Sequence, residues 1–223
     1  MPEAVPDHLL IVEDHLLLAT ALAMALRQLG LAVETAAGPT AETILQRVLQ
    51  LAPVLVLLDL ELGSPLGSGL DLIGPLIGAG GQVVMMTGVI DPLRLAACVE
   101  AGAIGIVNKA AGFADLVDAI RRVAAGEELL TNGQRQVLLN ELGTQRRADR
   151  VRLAPFDTLS PREKAVLTSL LAGDSAETIA QRSYVSLATI RSQIRSILVK
   201  LGVKSQLAAV ALARRANWSL PPE

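Results

Sequence analysis

The sequence predicts an α/β domain followed by an all-helical one, and three observations predict it. Over residues 1–125, short apolar runs alternate with amphipathic stretches. From Leu159 to Arg215 every signal is helical. Charge also divides the chain: residues 1–125 carry 6 Lys+Arg against 13 Asp+Glu, and residues 126–223 carry 14 against 9. Opposite charge on two halves suggests two tasks, with the basic half suited to a polyanion.

In the first half, the strand-like runs are Leu9–Val12, Ala32–Thr35, Val54–Leu58, Gln82–Met86 and Ile104–Val107. Helix-like segments lie near 15–29, 39–51, 69–79, 91–101 and 112–125. Strict alternation of five strands with five helices predicts a parallel sheet. Strands that read as unbroken apolar runs fit a sheet covered on both faces. Residues 126–158 contain Gly126, Asn132-Gly133, a Gln/Arg-rich stretch and Pro155, which read as a partly helical linker. Ser160-Pro161 with Glu163 three residues after the cap opens a helix that Gly173 ends. Ser175 opens a short helix near 175–182, Ser186 caps one near 187–200 that Gly202 stops, and a last helix covers about 205–215.

Composition narrows the function classes. Hydrophobic residues make up 51% of the chain, yet there are only two Phe, one Tyr and one Trp. Leu, Val, Ile and Ala must fill the interior, and an aromatic cage or base-stacking platform is nearly excluded. No apolar run approaches the ~18–20 residues of a spanning helix, so no membrane partner is expected. The N-terminus shows no secretory pattern. A single cysteine, Cys98, excludes an internal disulfide framework and agrees with a reducing, cytoplasmic setting.

The polar residues that follow the strands carry the chemistry, because ligands of an open parallel sheet bind beyond its carboxyl ends. Glu13 and Asp14 follow the first strand, Asp59 the third, Thr87 the fourth and Lys109 the fifth. Three converging carboxylates call for a cation, and oxygen ligands favour Mg²⁺. A carboxylate can act as a nucleophile toward phosphorus, with a lysine and a hydroxyl compensating the charge gained.

These pieces, Leu10-Ile11-Val12-Glu13-Asp14-His15, Val56-Leu57-Leu58-Asp59, Met85-Met86-Thr87-Gly88 and Ala101-Gly102-Ala103 leading to Asn108-Lys109-Ala110, resemble the receiver domain of bacterial response regulators. The resemblance implies a flavodoxin-like fold, phosphorylation of Asp59 by a histidine kinase, and phosphoryl contacts from Thr87 and Lys109. It further implies Mg²⁺ held by Asp14, Asp59 and the backbone carbonyl of Glu61, with Glu13 acting through water. Three departures stand out. Family members usually place a proline four residues and a glycine eight residues after the aspartate; here Asp59 is followed by Leu-Glu-Leu-Gly-Ser-Pro, and the helix start is displaced by about two residues. The switch position, usually Tyr or Phe, is Ile106. Lys109 precedes Ala110 in place of proline, so no cis peptide is expected there.

In the helical half, Ile190, Ile194, Ile197, Leu198 and Leu201 fall on one face of segment 187–200, and Ala188, Arg191, Ser192 and Arg195 fall on the other. A helix anchored on one side, with short polar and Arg side chains on the other, fits a major groove. The pieces Leu159-Ser160-Pro161-Arg162-Glu163, Ile179-Ala180, Val185-Ser186, Thr189-Ile190-Arg191 and Lys200-Leu201-Gly202-Val203 resemble the LuxR/NarL/FixJ helix-turn-helix domain. The resemblance implies double-stranded DNA as partner. Arg191, Ser192 and Arg195 would face bases. Thr189, Lys200, Lys204 and Ser205 would hold phosphates, and Gln193, where the family usually has His, would bond a base or phosphate.

The expected organisation is therefore a receiver over 1–125, a linker over 126–158 and a DNA-binding domain over 159–223. The chain is expected to be a regulator and not an enzyme, homodimeric when active or DNA-bound, with the surface of segments 91–101, 104–107 and 112–125 as output face. Ile106 and the altered loop keep open a DNA-binding regulator that ignores phosphorylation. A Mg²⁺-dependent phosphohydrolase would need an aspartate where Glu61 stands. Cys98 reads as a packed side chain, His8 and His15 lack metal partners by spacing, and Gly63–Gly69 lacks a Walker lysine.

Overall fold

The computed structural model describes residues 8–36, 40–52, 54–88 and 91–219, and it divides into two compact units at Gly143/Thr144. The first unit is built on a five-stranded sheet of β1 (His8–Val12), β2 (Ala32–Thr35), β3 (Val54–Asp59), β6 (Gly81–Thr87) and β7 (Gly105–Asn108). All pairings are parallel, in the order β2-β1-β3-β6-β7. Between them run α1 (Leu16–Gln28), α2 (Ala41–Leu51), α3 (Leu70–Gly78), α4 (Pro92–Glu100) and α5 (Phe113–Ala124). The expected helix near 39–51 begins at Ala41 with Thr40 as cap; position 39 lies outside the described residues.

β3 shows why the fold is a three-layer sandwich. All six of its residues are buried, and successive side chains point to opposite faces. Val54, Val56 and Leu58 join a core with Ile44 and Val48 of α2, Ile73 and Leu76 of α3, and Cys98 of α4. Leu55 and Leu57 join another with Ala19, Ala23 and Leu26 of α1 and Leu116, Ile120 and Val123 of α5. Cys98 is accordingly a packed side chain, and its thiol is pushed up to about 11 by burial.

Between β3 and α3 lies a small antiparallel hairpin, β4 (Glu61–Gly63) and β5 (Gly67–Ser68), where the sequence suggests only a glycine-rich loop. Leu60 and Leu62 turn into the core while Glu61 between them faces solvent. Ser64-Pro65 is the cis peptide of the described residues, and Lys109-Ala110 is trans. The hairpin closes on Gly69, whose N–H donates to the Leu60 carbonyl at 2.9 Å. A Cβ at Gly69 would be driven into the backbone carbonyl of Asp59.

After α5, α6 (Asn132–Asp157) is one 26-residue helix. The second unit contains α7 (Pro161–Leu171), α8 (Ala176–Arg182), α9 (Leu187–Lys200) and α10 (Gln206–Arg215). Ser160, Ser175, Ser186 and Ser205 each accept a hydrogen bond from a backbone N–H three residues on, satisfying a donor that the helix leaves free. The core joins Val166, Leu167 and Leu170 to Ile179, Ile190, Ile194 and Ile197. Phe156 stacks on Trp218 with ring centroids 5.3 Å apart, so two of the four aromatics serve this small core.

Gly69→Ala should lower stability in urea unfolding by at least ~1–3 kcal/mol, as overpacking against backbone does. Alanine at the open Gly74 position should cost no such amount and serves as the control.

Candidate functional site

Parallel register places the acidic residues at one end of the sheet. Val12 pairs with Leu58 across β1 and β3, so Glu13 and Asp59 stand level just beyond the core. Asp59 pairs with Met86, and Thr87 with Asn108, which brings the ends of β6 and β7 to the same edge. Glu13, Asp59 and Thr87 are buried. Lys109 turns back from the end of β7, held by its N–H to the Thr87 carbonyl at 2.9 Å. Its ammonium donates to Glu13 Oε2 at 2.5 Å and lies 2.8 Å from Asp59 Oδ2.

Opposing effects meet at this cluster. Burial pushes the Asp59 carboxyl above its ordinary range, the Lys109 hydrogen bond pulls it back, and the Glu13 charge pushes it up again. Burial would lower Lys109, yet its bonds to Asp59 and Glu13 outweigh that and leave it raised. The ammonium is thus the counter-charge of two carboxylates removed from water.

Asp14 lies on the exposed rim beside His15, whose Nδ1 is 2.9 Å from Asp14 Oδ1 and 3.0 Å from Glu13 Oε1. These contacts raise the imidazole above its ordinary value, the Glu13 hydrogen bond most of all. Ligand atoms of Glu13, Asp14, His15 and Asp59 all lie within 4.8 Å of one another. His15 therefore joins the carboxylates, although spacing alone gives it no metal partner. Glu61 opens β4, its backbone N–H reaches the Asp59 carboxylate, and its side chain pairs with Arg94 of α4 at 2.9 Å. Gly63 stands so close that a Cβ there would meet Asp14 Oδ2 at 3.0 Å. Ile106 is half-buried against the core under α2, α3 and α4.

In the second unit, α9 buries Ile190, Ile194 and Ile197 and exposes Ala188, Arg191, Ser192 and Arg195. The other expected contact residues differ in how free they are. Lys204 is exposed. The Thr189 hydroxyl pairs with the cap Ser186 at 2.8 Å, and Ser205 caps α10. Gln193 is half-buried in a cleft shared with Arg162, Ser169 and Ser183. Arg191 Nη2 donates to Glu177 Oε1 at 3.2 Å. Lys200 donates to the buried Glu163 at 2.7 Å.

Glu163 does more than its place in a capping box suggests. It accepts from the Ser160 N–H at 2.7 Å, from the Ser196 hydroxyl at 2.6 Å and from Lys200, so it ties the start of α7 to the far end of α9. Burial would raise its carboxyl, but these donors hold it down at about 2. The Ser-Pro-Arg-Glu pattern reveals the cap; the bonds reaching 33 and 37 residues onward have no local signal.

A model of the response regulator receiver domain matches residues 9–121, and a model of the luxR family of bacterial regulatory proteins matches residues 157–213. The chain belongs to the response regulators that join a receiver domain to a LuxR-type DNA-binding domain. Among its relatives is the nitrate/nitrite response regulator protein NarP of Escherichia coli (strain K12), 32% identical over 95% of this chain and 96% of that protein. A putative transcriptional regulator of Pseudomonas aeruginosa is 30% identical over 92% of this chain and 96% of its own length. RcsB from Salmonella enterica serovar Typhimurium, solved bound to a promoter in the presence of phosphomimetic BeF3−, shares the fold at a TM-score of 0.51 and 23% identity, covering 93% of this chain and 97% of that one.

Folded-state depression of Glu163 means stability present above its ordinary pKa of 4.5 and lost as pH falls toward about 2. Glu163→Gln should therefore cost roughly 1–3 kcal/mol at pH 7. In urea titrations the gap from wild type should narrow as pH drops through this window.

Proposed function

We propose that the protein accepts a phosphoryl group on Asp59 from a histidine kinase and thereby controls its occupancy of double-stranded DNA. The observation that carries this reading is the Lys109 ammonium between Asp59 and Glu13 at the end of the sheet. In this reading residues 1–125 are the receiver, 126–158 the linker and 159–223 the DNA-binding domain.

An Asp59 carboxylate oxygen attacks phosphorus, the bond to the donor nitrogen breaks, and the charge delivered to Asp59 grows. Lys109, already beside that oxygen, compensates it, and the Thr87 hydroxyl at the end of β6 contacts the new oxygens. The carboxylates of Glu13, Asp14 and Asp59 form a hard-oxygen donor set that suits Mg²⁺, and Gly63 leaves Asp14 room on the hairpin side. Asp14, Asp59 and the Glu61 carbonyl would hold the ion, with Glu13 acting through water. Imidazole suits softer metals, so His15 is a neighbour of the Mg²⁺ ligands and not one of them. Bound Mg²⁺ supplies charge neutralisation for the transferring phosphoryl group.

The chain takes up one phosphoryl group per molecule and turns over no substrate of its own, so it is a regulator and not an enzyme. Arg191, Ser192 and Arg195 read base edges, while Thr189, Gln193, Lys200, Lys204 and Ser205 position the backbone. Lys200 must exchange or share its Glu163 bond to do so. Leu207, 78% exposed on α10, with Val210 and Ala211, supplies the contact of a DNA-bound homodimer. No helix among the described residues is long and apolar enough to cross a membrane, and a DNA partner assigns the protein to the cytoplasm.

Incubation with Mg²⁺ and acetyl phosphate should add one acid-labile phosphoryl group per chain by intact mass, and none to Asp59→Asn. Equal labelling of that variant would remove the assignment. Arg191→Ala and Arg195→Ala should each weaken specific DNA binding by ~1–3 kcal/mol in footprint titrations.

A further inference from the structure

An acidic side chain stands among the residues expected to meet DNA. Glu177 lies in the first turn of α8, and its carboxylate crosses to Arg191 on the exposed face of α9 at 3.2 Å. Both side chains are open to solvent, 56% and 63% exposed. An exposed pair of this kind contributes little to folding. A carboxylate on a surface that approaches phosphates also works against affinity. Its place in the first turn suits the N-terminal end of α8, but its pairing with Arg191 is explained neither by folding stability nor by attraction to the polyanion.

Donors and acceptors suggest another role. Arg191 offers five N–H donors and spends one on Glu177, which leaves donors for a guanine O6 and N7. Glu177 accepts from Arg191 and also from its own backbone N–H and the Ser175 hydroxyl, which hold its carboxyl below the usual range. An ionised carboxylate has about four acceptor sites, so one remains. In the major groove the cytosine amino group adjoins guanine O6 in the same base pair and is a donor, whereas thymine presents an acceptor.

We infer that Glu177 is a specificity-determining residue, which with Arg191 reads one G·C base pair as a unit: the guanidinium takes the guanine edge and the carboxylate accepts from the cytosine amino group. The inference rests on the DNA-binding reading above and deepens it. A thymine at the cytosine position would set its O4 against the carboxylate, and an adenine at the guanine position would set its amino group against the guanidinium. Discrimination then comes from repulsion of the wrong pair as well as attraction of the right one. Loss of the carboxylate alone should raise affinity for random DNA while relaxing the choice at that pair.

The test is selection of binding sites from random duplex DNA by the full chain, with Mg²⁺ and with or without beryllofluoride. It compares wild type with Glu177→Gln, Glu177→Ala, Arg191→Ala and the double variant Glu177→Ala/Arg191→Ala, after thermal unfolding shows that all of them fold. Wild type should enrich a G·C pair at one position of each half-site. Both Glu177 variants should lose about 5- to 150-fold of the preference at that position only. They should also bind random DNA more tightly, and the double variant should lose no more preference there than Arg191→Ala alone. Enrichment of the same site with undiminished preference by the Glu177 variants would overturn this inference and leave DNA reading intact. A wild type that enriches no sequence would overturn both.

Discussion

Two carboxylates withdrawn from water at the end of a parallel sheet remain charged only if a cation stands between them. In this protein that cation is Lys109, bridging Glu13 and Asp59. One ammonium shared by two carboxylates leaves the cluster with a net negative charge, the charge that a divalent cation would meet. Whatever adds negative charge to Asp59 must redraw the contacts of Lys109, whose backbone is tied to Thr87 at the end of the neighbouring strand. The cluster is thus joined by hydrogen bonding to the ends of both β6 and β7.

The rest of the receiver fold serves to hold that cluster. Register along β1, β3 and β6 fixes the height of each polar residue, and the apolar runs on both sheet faces fix the register. The stretch after Asp59 closes as a hairpin through Leu60, Leu62 and Gly69, which leaves Glu61 and Gly63 beside the acidic residues. The second unit repeats the logic with a different charge pair. Glu163, buried and bonded to Ser160, Ser196 and Lys200, fixes α9 against α7, and α9 can then expose a rigid row of side chains.

Sequence alone displays the features that depend on local pattern. Five apolar runs give the five sheet strands, and serines at 160, 175, 186 and 205 open α7 to α10. The polar residues that end those strands meet at one edge because parallel strands share an end. Less legible are features made by few residues or distant ones. Strands of three and two residues are too short to show a period, although Leu60-Glu61-Leu62 does alternate. Spacing gives His15 no metal partner, because its neighbours Glu13 and Asp14 converge on Asp59 only once β1 and β3 pair. Helix α6 reads as a partly helical linker because its stretch is polar, with Leu142 and Phe156 among its few buried residues. The ties from Glu163 to Ser196 and from Arg191 to Glu177 join residues brought together by the fold.

Whether charge added at Asp59 governs DNA occupancy is read from operator affinity with and without beryllofluoride, in wild type and Asp59→Asn. Affinity should change on adding beryllofluoride and Mg²⁺ to wild type and should not change in the variant. Equal affinities in wild type with and without beryllofluoride would contradict it, and would mark a DNA-binding regulator whose receiver, with Ile106 at the switch position, acts without phosphorylation.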